Sequence, residues 1–504
     1  MLKVQNAGFT SCGPKNKLGS KFPSYCILKA GSLLMRFAGF DLVKREPDSS
    51  NVSGSVAQGS PWQILLILAP FLVVSLWVAK SLGLGIAPDE PAHFLFIKHY
   101  ASTLGFPQDT LETMRTGWYV HQNPFLYYWF NARVYALAKI VVPNLTDHQS
   151  LVIMRALSAL YSTGTLFFLY KTARLLFRKP WQQLLPAFLL ANTLMFSFIS
   201  GAVSYDNLAN LFAAAAIYFL TRLIYGGSYA RYSLLFLGTL LWGNLIKYPM
   251  TPLAFIGVAV WIAWSIKQRK LIGPQKLGFA NIVIVLVVAV GLAFNAGIYG
   301  QNILRFQALT PACNQLYEPQ QCALSPFQQR WEAWGVKDKP TLIESVRAGG
   351  PNPIGYFFDD WINLMLKSIY GILAHKNYEP TQMIPFLRLF WLVILFLGFR
   401  YIRQVDKTYF PLFLIMFFYF AVVFANNVNT ELAYNYAHTG GLQGRYLFPV
   451  LGIAYLGVTK VIESINHRAL RALVLAVTLA LFIYSGPLKF ALYWDNLFKG
   501  WFTL

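Results

Sequence analysis

The stretch Pro88–Phe94 reads PDEPAHF and places two carboxylates, Asp89 and Glu90, within one helical turn of His93. On a helix Asp89 lies four residues and Glu90 three residues from His93, so side chains at these spacings meet. Such a trio can take a proton from a hydroxyl or hold a divalent cation. Asp89 can equally serve as the cap of the helix that follows. Three more ionisable residues stand at the ends of apolar runs. Asp206, in SYDNLANLF, either lines a polar cavity or answers the positive end of a helix dipole. Lys247, in WGNLIKYPM, either binds an anion or snorkels to the interface. Arg445, in GGLQGRYLFPV, follows glycines that let backbone approach a ligand, and its guanidinium suits phosphate or carboxylate; a topological role is the alternative. Charge at membrane depth is expensive, so residues of this kind usually line a cavity or find a partner.

These side chains must be positioned by apolar elements. The chain has 504 residues, 56% hydrophobic and 12% charged, with the apolar residues in long blocks. A bilayer core about 30 Å thick needs roughly 20 apolar residues per helix. The expectation is an all-α polytopic membrane protein, and the alternating strands of a barrel are missing. About 11 spans are expected, near 62–84, 152–173, 181–200, 206–224, 232–246, 250–266, 277–299, 384–399, 408–426, 446–462 and 471–488. With the N-terminus inside, the inner segments hold most of the Lys and Arg and few of the acids. That is the positive-inside pattern, and it sets the orientation. The net charge of +22 is therefore topological, and no nucleic-acid partner is expected.

Residues 1–60 read as a disordered cytoplasmic tail, with Met35 as an alternative start. A membrane module follows over 61–299, interrupted by a first outer loop at 85–151. A second outer segment, 300–383, precedes a C-terminal transmembrane module at 384–504. Within the first loop, 89–104 forms a helix, and 124–142 reads as an amphipathic helix along the outer interface. Counting 124–142 as a span would reverse every later loop and place basic segments outside. The stretch 354–373 reads similarly. Cys12 and Cys26 fall in the tail, while Cys313 and Cys322 fall outside, nine apart, where an oxidising compartment favours a disulfide. No repeats or heptads stand out.

The four ionisable places, in this order, resemble the GT-C superfamily of membrane glycosyltransferases, in which an acidic motif follows the first span. The chain is most similar to the PMT and RgtA-like enzymes, in a bacterial branch whose motifs read PDEPAHF and QGRYLFP. Here those are Pro88–Phe94 and Gln443–Pro449. NPFLYYWF (123–130) resembles the second juxtamembrane helix of that family, 155–177 its next span, and 204–212 its NDALA element. The likeness covers roughly residues 60–465. It implies a GT-C-like bundle, a polyprenyl-phosphate-linked sugar donor, a lipid, glycan or protein acceptor, and reaction at the outer face of the inner (plasma) membrane. The acidic residue of the family's motif maps to Asp89. Some relatives carry Glu-Lys before a Pro-Pro pair; here Gln122 and Asn123 stand there, with His121 before them.

The expected reaction is transfer of a hexose or pentose to an acceptor hydroxyl, with inversion, in modification of cell-envelope glycan or glycolipid. A departing phosphate is already anionic and calls for cations more than for a general acid. Asp89, Glu90 and Asp206 are the catalytic candidates. His93, His121, Lys247 and Arg445 are the substrate-binding candidates. Asp89, Glu90 and His93 are the candidates to hold a divalent cation, and no other cofactor is implied. The rival readings are a lipid-linked saccharide transporter or flippase, and an O-antigen ligase or polymerase. Transporters favour inverted repeats, broken helices and sites at midplane; neither repeats nor broken helices are expected here, and the charges lie at the outer rim.

Overall fold

The computed structural model describes residues 60–502 except 122, 269–278, 334–341, 350–351, 375–377, 380–381, 402–408, 434–441 and 493–499. The tail with Met35, Cys12 and Cys26 lies outside the described residues, as does Gln122. The described chain is helical apart from a two-residue antiparallel pair, β1 (Ile372–Leu373) with β2 (Tyr378–Glu379). Among the described residues nine helices are long and apolar enough to cross a membrane. This agrees with the all-α polytopic class. Nine is fewer than the eleven spans expected, because two of the eleven take other forms.

The chain runs through α1 (Leu65–Ser81), then α2 (Glu90–Ala101) and α3 (Leu126–Val141) in the first long loop. It returns through α4 (Asp147–Leu176), α5 (Pro180–Ala191), α6 (Leu194–Ser200), α7 (Tyr205–Ile224) and α8 (Tyr229–Asn244). Next come α9 (Met250–Lys267) and α10 (Phe279–Asn295). After the second loop, which contributes α11 (Ile362–Tyr370), the bundle ends in α12 (Ile384–Tyr401), α13 (Phe410–Ala433), α14 (Phe448–Ser464) and α15 (Arg468–Ser485).

The expected span 181–200 is broken: α5 and α6 meet at a bend of 70°. At the break, Asn192 Nδ2 donates to the Phe188 carbonyl and Thr193 Oγ1 to the Leu189 carbonyl, while Thr193 also bonds Tyr455 Oη at 2.6 Å. These side chains compete with the backbone ladder. Every residue of α6 is buried, which is where a broken helix is tolerated at membrane depth. The break carries no ionisable residue. The expected span 232–246 corresponds to α8, whose 16 residues are the other shortfall.

α2 and α3 pack on each other and form the floor of the site. α2 buries Glu90, His93, Phe94, Phe96, Ile97 and Tyr100, one face at helical spacing. Arg133 of α3 closes its C-terminal end by donating to the Tyr100 and Thr103 carbonyls. α3 buries Tyr127, Tyr128, Asn131, Ala132 and Tyr135, while Phe130, Leu137, Ile140 and Val141 are exposed. At 16 residues α3 is shorter than the helices counted as long enough to cross a membrane.

Candidate active site

Asp89 occupies the left-handed region (φ 60°, ψ 4°) at the start of α2. That conformation is uncommon outside glycine, although Asp tolerates it better than most residues. Its carboxylate makes no capping bond to α2. Instead Oδ2 accepts from Arg445 Nη2 at 2.7 Å, and the side chain remains 30% exposed. The capping alternative for Asp89 is thus not the one the chain takes.

Asp206 resolves in the same direction. Ser204 caps α7 by accepting the Asp206 backbone N–H at 3.2 Å, and its hydroxyl donates to Asp206 Oδ2 at 3.2 Å. Its Oδ1 is paired with Lys247, and its Oδ2 lies 3.4 Å from Arg445 Nη1. Lys247 sits in the turn between α8 and α9, fixed because Leu245, two residues earlier, accepts the first N–H of α3 at 2.9 Å. Its ammonium lies 4.5 Å from the Tyr205 ring centre and 4.9 Å from that of Tyr446. Arg445 lies in a tight turn, Gly444–Leu447, before α14. Gly444 lies against α11, where a Cβ would come within 2.7 Å of the Met365 carbonyl oxygen. Its N–H donates to Ser368 Oγ at 2.7 Å. Glycine is required there by the close approach, and α11 thereby sets the position of Arg445.

Two carboxylates and two cations from four separate elements therefore converge: Asp89, Asp206, Lys247 and Arg445. Asp206, Lys247 and Arg445 are buried; Asp89 is the most accessible of the four. Burial lowers Lys247 to about 8 against the opposing pull of Asp206. Among the described residues the Arg445 Nε is buried without a hydrogen-bond partner.

His93 lies beside this cluster with its ring fully buried. Burial holds it down to about 3, with Asp89 pulling the other way, so the imidazole is neutral at physiological pH. Nδ1 shares a hydrogen bond with Tyr128 Oη at 3.0 Å, and Nε2 is buried without one. Tyr205 and Trp118 pack edge-on against the ring at 4.5 and 4.7 Å. His121 is exposed, and no bond is described that joins it to the cluster.

Glu90 points elsewhere. It is fully buried, and Arg155 of α4 holds both its oxygens, Nε on Oε1 at 2.7 Å and Nη2 on Oε2 at 2.6 Å. Oε1 also accepts the Val203 N–H at 2.9 Å. Asp89, Glu90 and His93 are thus committed to three different partners. Among the described residues no three His, Cys, Asp or Glu side chains converge as a metal site would require. Asp89, Glu90 and His93 therefore do not offer a divalent cation a common donor set. Cys313 and Cys322 are joined, with Cα atoms 5.8 Å apart.

Reading along the chain missed Arg155, Tyr205, Tyr446 and Trp118. Arg155 had a usable signal, a charge inside an apolar span. A small cavity of about 20 Å³ is lined by Thr165, Leu169, Asn210, Phe448, Pro449 and Gly452 among others. It is separate from the charged groups.

Residues 122–294 match the family described as dolichyl-phosphate-mannose-protein mannosyltransferase. The matched stretch contains Arg155, Asp206 and Lys247; Asp89 and Arg445 fall outside it. No curated protein matches the chain. Among solved structures, ArnT from Cupriavidus metallidurans in the apo state is similar at 12% identity and a TM-score of 0.43, over 81% of this chain and 60% of that one. The same protein bound to undecaprenyl phosphate gives 13%, 0.39, 83% and 64%. The archaeal oligosaccharyltransferase AglB from Archaeoglobus fulgidus, in complex with an inhibitory peptide and a dolichol-phosphate, gives 14%, 0.44, 84% and 55%. The chain thus spans less than two thirds of each of these proteins.

Proposed function

We propose that the chain is an integral membrane glycosyltransferase that moves a sugar from a polyprenyl-phosphate carrier to an acceptor hydroxyl at the outer face of the membrane. The observation that carries this reading is the pairing of partly exposed Asp89 with Arg445, in a cluster completed by Asp206 and Lys247. The family match over 122–294, whose description names a dolichyl-phosphate sugar, supports the donor class. The excess of basic residues in the opposite loops supports an outer site and a cytoplasmic N-terminus.

In this mechanism the acceptor hydroxyl approaches Asp89, which accepts its proton. The acceptor oxygen forms a bond to the anomeric carbon as the bond from that carbon to the phosphate oxygen breaks. The phosphate leaves with the electron pair, and Arg445 and Lys247 neutralise its charge. Attack opposite the phosphate inverts the anomeric centre. Asp206 keeps both cations aimed while leaving part of their hydrogen-bonding capacity to the ligand. Neutral His93 adds no charge and packs the floor beneath Asp89.

The test uses purified protein in lipid with defined polyprenyl-phosphate sugars. Asp89→Asn is expected to lower transfer by about 10²–10⁴-fold, the usual contribution of a positioned base, with insertion intact, because Asp206 still faces the Arg445 guanidinium. Full activity in that variant removes Asp89 as the base.

A further inference from the structure

Asp109 lies in the first outer loop, between α2 and α3, and fastens two distant pieces of chain. Its carboxylate accepts the Val120 N–H with both oxygens at 3.0 Å, and the Thr113 hydroxyl at 3.0 Å. It also accepts the hydroxyl of Tyr317 from the second outer loop. Tyr317 is the middle residue of the loop that Cys313–Cys322 closes, and its ring stacks on Tyr119 at 5.3 Å. Gly117 (φ 77°) is pressed against the second outer loop just past that disulfide, where a Cβ would stand 2.9 Å from Ser325 Oγ. Residues 109–120 are therefore pinned at Asp109, Gly117 and Tyr119. Between the last two, Trp118 is partly exposed and turns the other way, onto His93 at 4.7 Å and Tyr205 at 5.7 Å. Tyr205 in turn lies under the Lys247 ammonium.

We propose that Asp109 and Tyr317 are positioning residues that hold Trp118 as an aromatic wall against which the sugar ring of the donor packs beside the Asp89–Arg445–Lys247 cluster. This rests on the glycosyltransferase reading above. The C–H faces of a sugar ring pack on aromatic rings, and Trp118 with Tyr205 supplies such a surface next to the cations. A short cross-linked loop suits the task, because the disulfide restricts the chain that presents Tyr317. The hydroxyl of Tyr317 then meets a carboxyl oxygen that also holds the Val120 N–H.

The experiment compares wild type, Tyr317→Phe, Trp118→Ala and the double variant in the full-length protein in lipid. Tyr317→Phe keeps the stack on Tyr119 and removes only the bond to Asp109. Expected are faster hydrogen exchange in peptides covering 109–121 and a KM for the polyprenyl-phosphate sugar raised about tenfold, with kcat little changed. On the Trp118→Ala background, Tyr317→Phe adds nothing to KM, because both act through one side chain. Cys313→Ser with Cys322→Ser reproduces the faster exchange. Unchanged exchange in 109–121 overturns the clamp, and additive KM effects overturn its action through Trp118. Wild-type protein that transfers no sugar from any such donor sinks the functional reading, while the exchange measurement still decides the clamp.

Discussion

Two clusters of buried charge meet at adjacent residues, and they are built on opposite principles. Glu90 and Arg155 form a dry pair in which Arg155 also donates to the carbonyls of Ala79 and Leu82 at the end of α1. Glu90 reaches the turn before α7 through Val203. That pair ties α1, α2, α4 and the start of α7 together. One residue earlier, Asp89 belongs to a cluster that is deliberately incomplete in the chemical sense: one carboxylate is partly open, and Arg445 keeps a buried Nε without a partner. A buried pair repays its desolvation only when its remaining groups are hydrogen-bonded. The first cluster meets that condition from within the chain. The second leaves capacity for a ligand. The DE dipeptide thus holds one carboxylate saturated within the chain and one that is partly exposed, distinguished by partners rather than by residue type.

The largest effect that tests this contrast comes from Glu90→Gln. It leaves the Arg155 guanidinium buried without its counter-charge, which costs about 3–5 kcal/mol. A lowered unfolding midpoint in detergent and poor yield are expected, against a smaller shift for Asp89→Asn, where Asp89 is partly exposed and Asp206 still faces Arg445. A Glu90→Gln protein that melts like wild type and has lost only transfer would reverse the roles of the two residues and restore Glu90 as a catalytic group.

The chemical cluster was largely legible along the chain, because Asp89, Asp206, Lys247 and Arg445 each stand where an apolar run begins or ends. Charge there is costly enough to mark itself. The geometry was not legible. Nothing local distinguishes Asp89 from Glu90, since their fates depend on Arg445 and Arg155, the one far along the chain and the other inside a span. Sequence alone does not show that the Asp89 side chain makes no cap bond, or that Ser204 rather than Asp206 accepts the N–H at the start of α7. Spans were readable from apolar length, yet LLANTLMF gives no hint that Thr193 finds Tyr455 and the helix breaks. Trp118 is likewise an ordinary loop aromatic until α2 and α7 bring His93 and Tyr205 to it.

A smaller effect separates the placement of Arg445 from its presence. In Gly444→Ala the new Cβ meets the Met365 carbonyl and Ile369 Cγ1, at 2.7 and 2.5 Å before relaxation. Overpacking of this kind costs about 1–3 kcal/mol. The turn must move, and Arg445 moves with it. Donor affinity measured by titration is expected to fall about tenfold or more. In Gly457→Ala, on the same span with nothing within 4 Å of the new methyl, affinity should stay unchanged. Equal affinity in both variants would show that the α11 contact does not set the cation. The Glu90–Arg155 cluster lies outside this contact, so the unfolding midpoint should move less in Gly444→Ala than in Glu90→Gln.

The smallest effect is a titration. Lys247 faces Asp206, Arg445, Tyr205 and Tyr446, and burial lowers it to about 8. Lysine is charged below its pKa, so the ammonium is present at pH 7 and is lost as pH rises through about 8. Affinity for an anionic donor should therefore be flat below neutrality and fall by at most about tenfold between pH 7 and 9. Lys247→Arg retains the charge and should flatten that limb, because guanidinium stays protonated. His93 sets a second expectation with the opposite character. Held to about 3, it is already neutral throughout, so no inflection belongs near its ordinary value of 6.5. A donor-binding limb near pH 8 that survives in Lys247→Arg would assign the titration to another group and leave Arg445 as the cation that the phosphate meets.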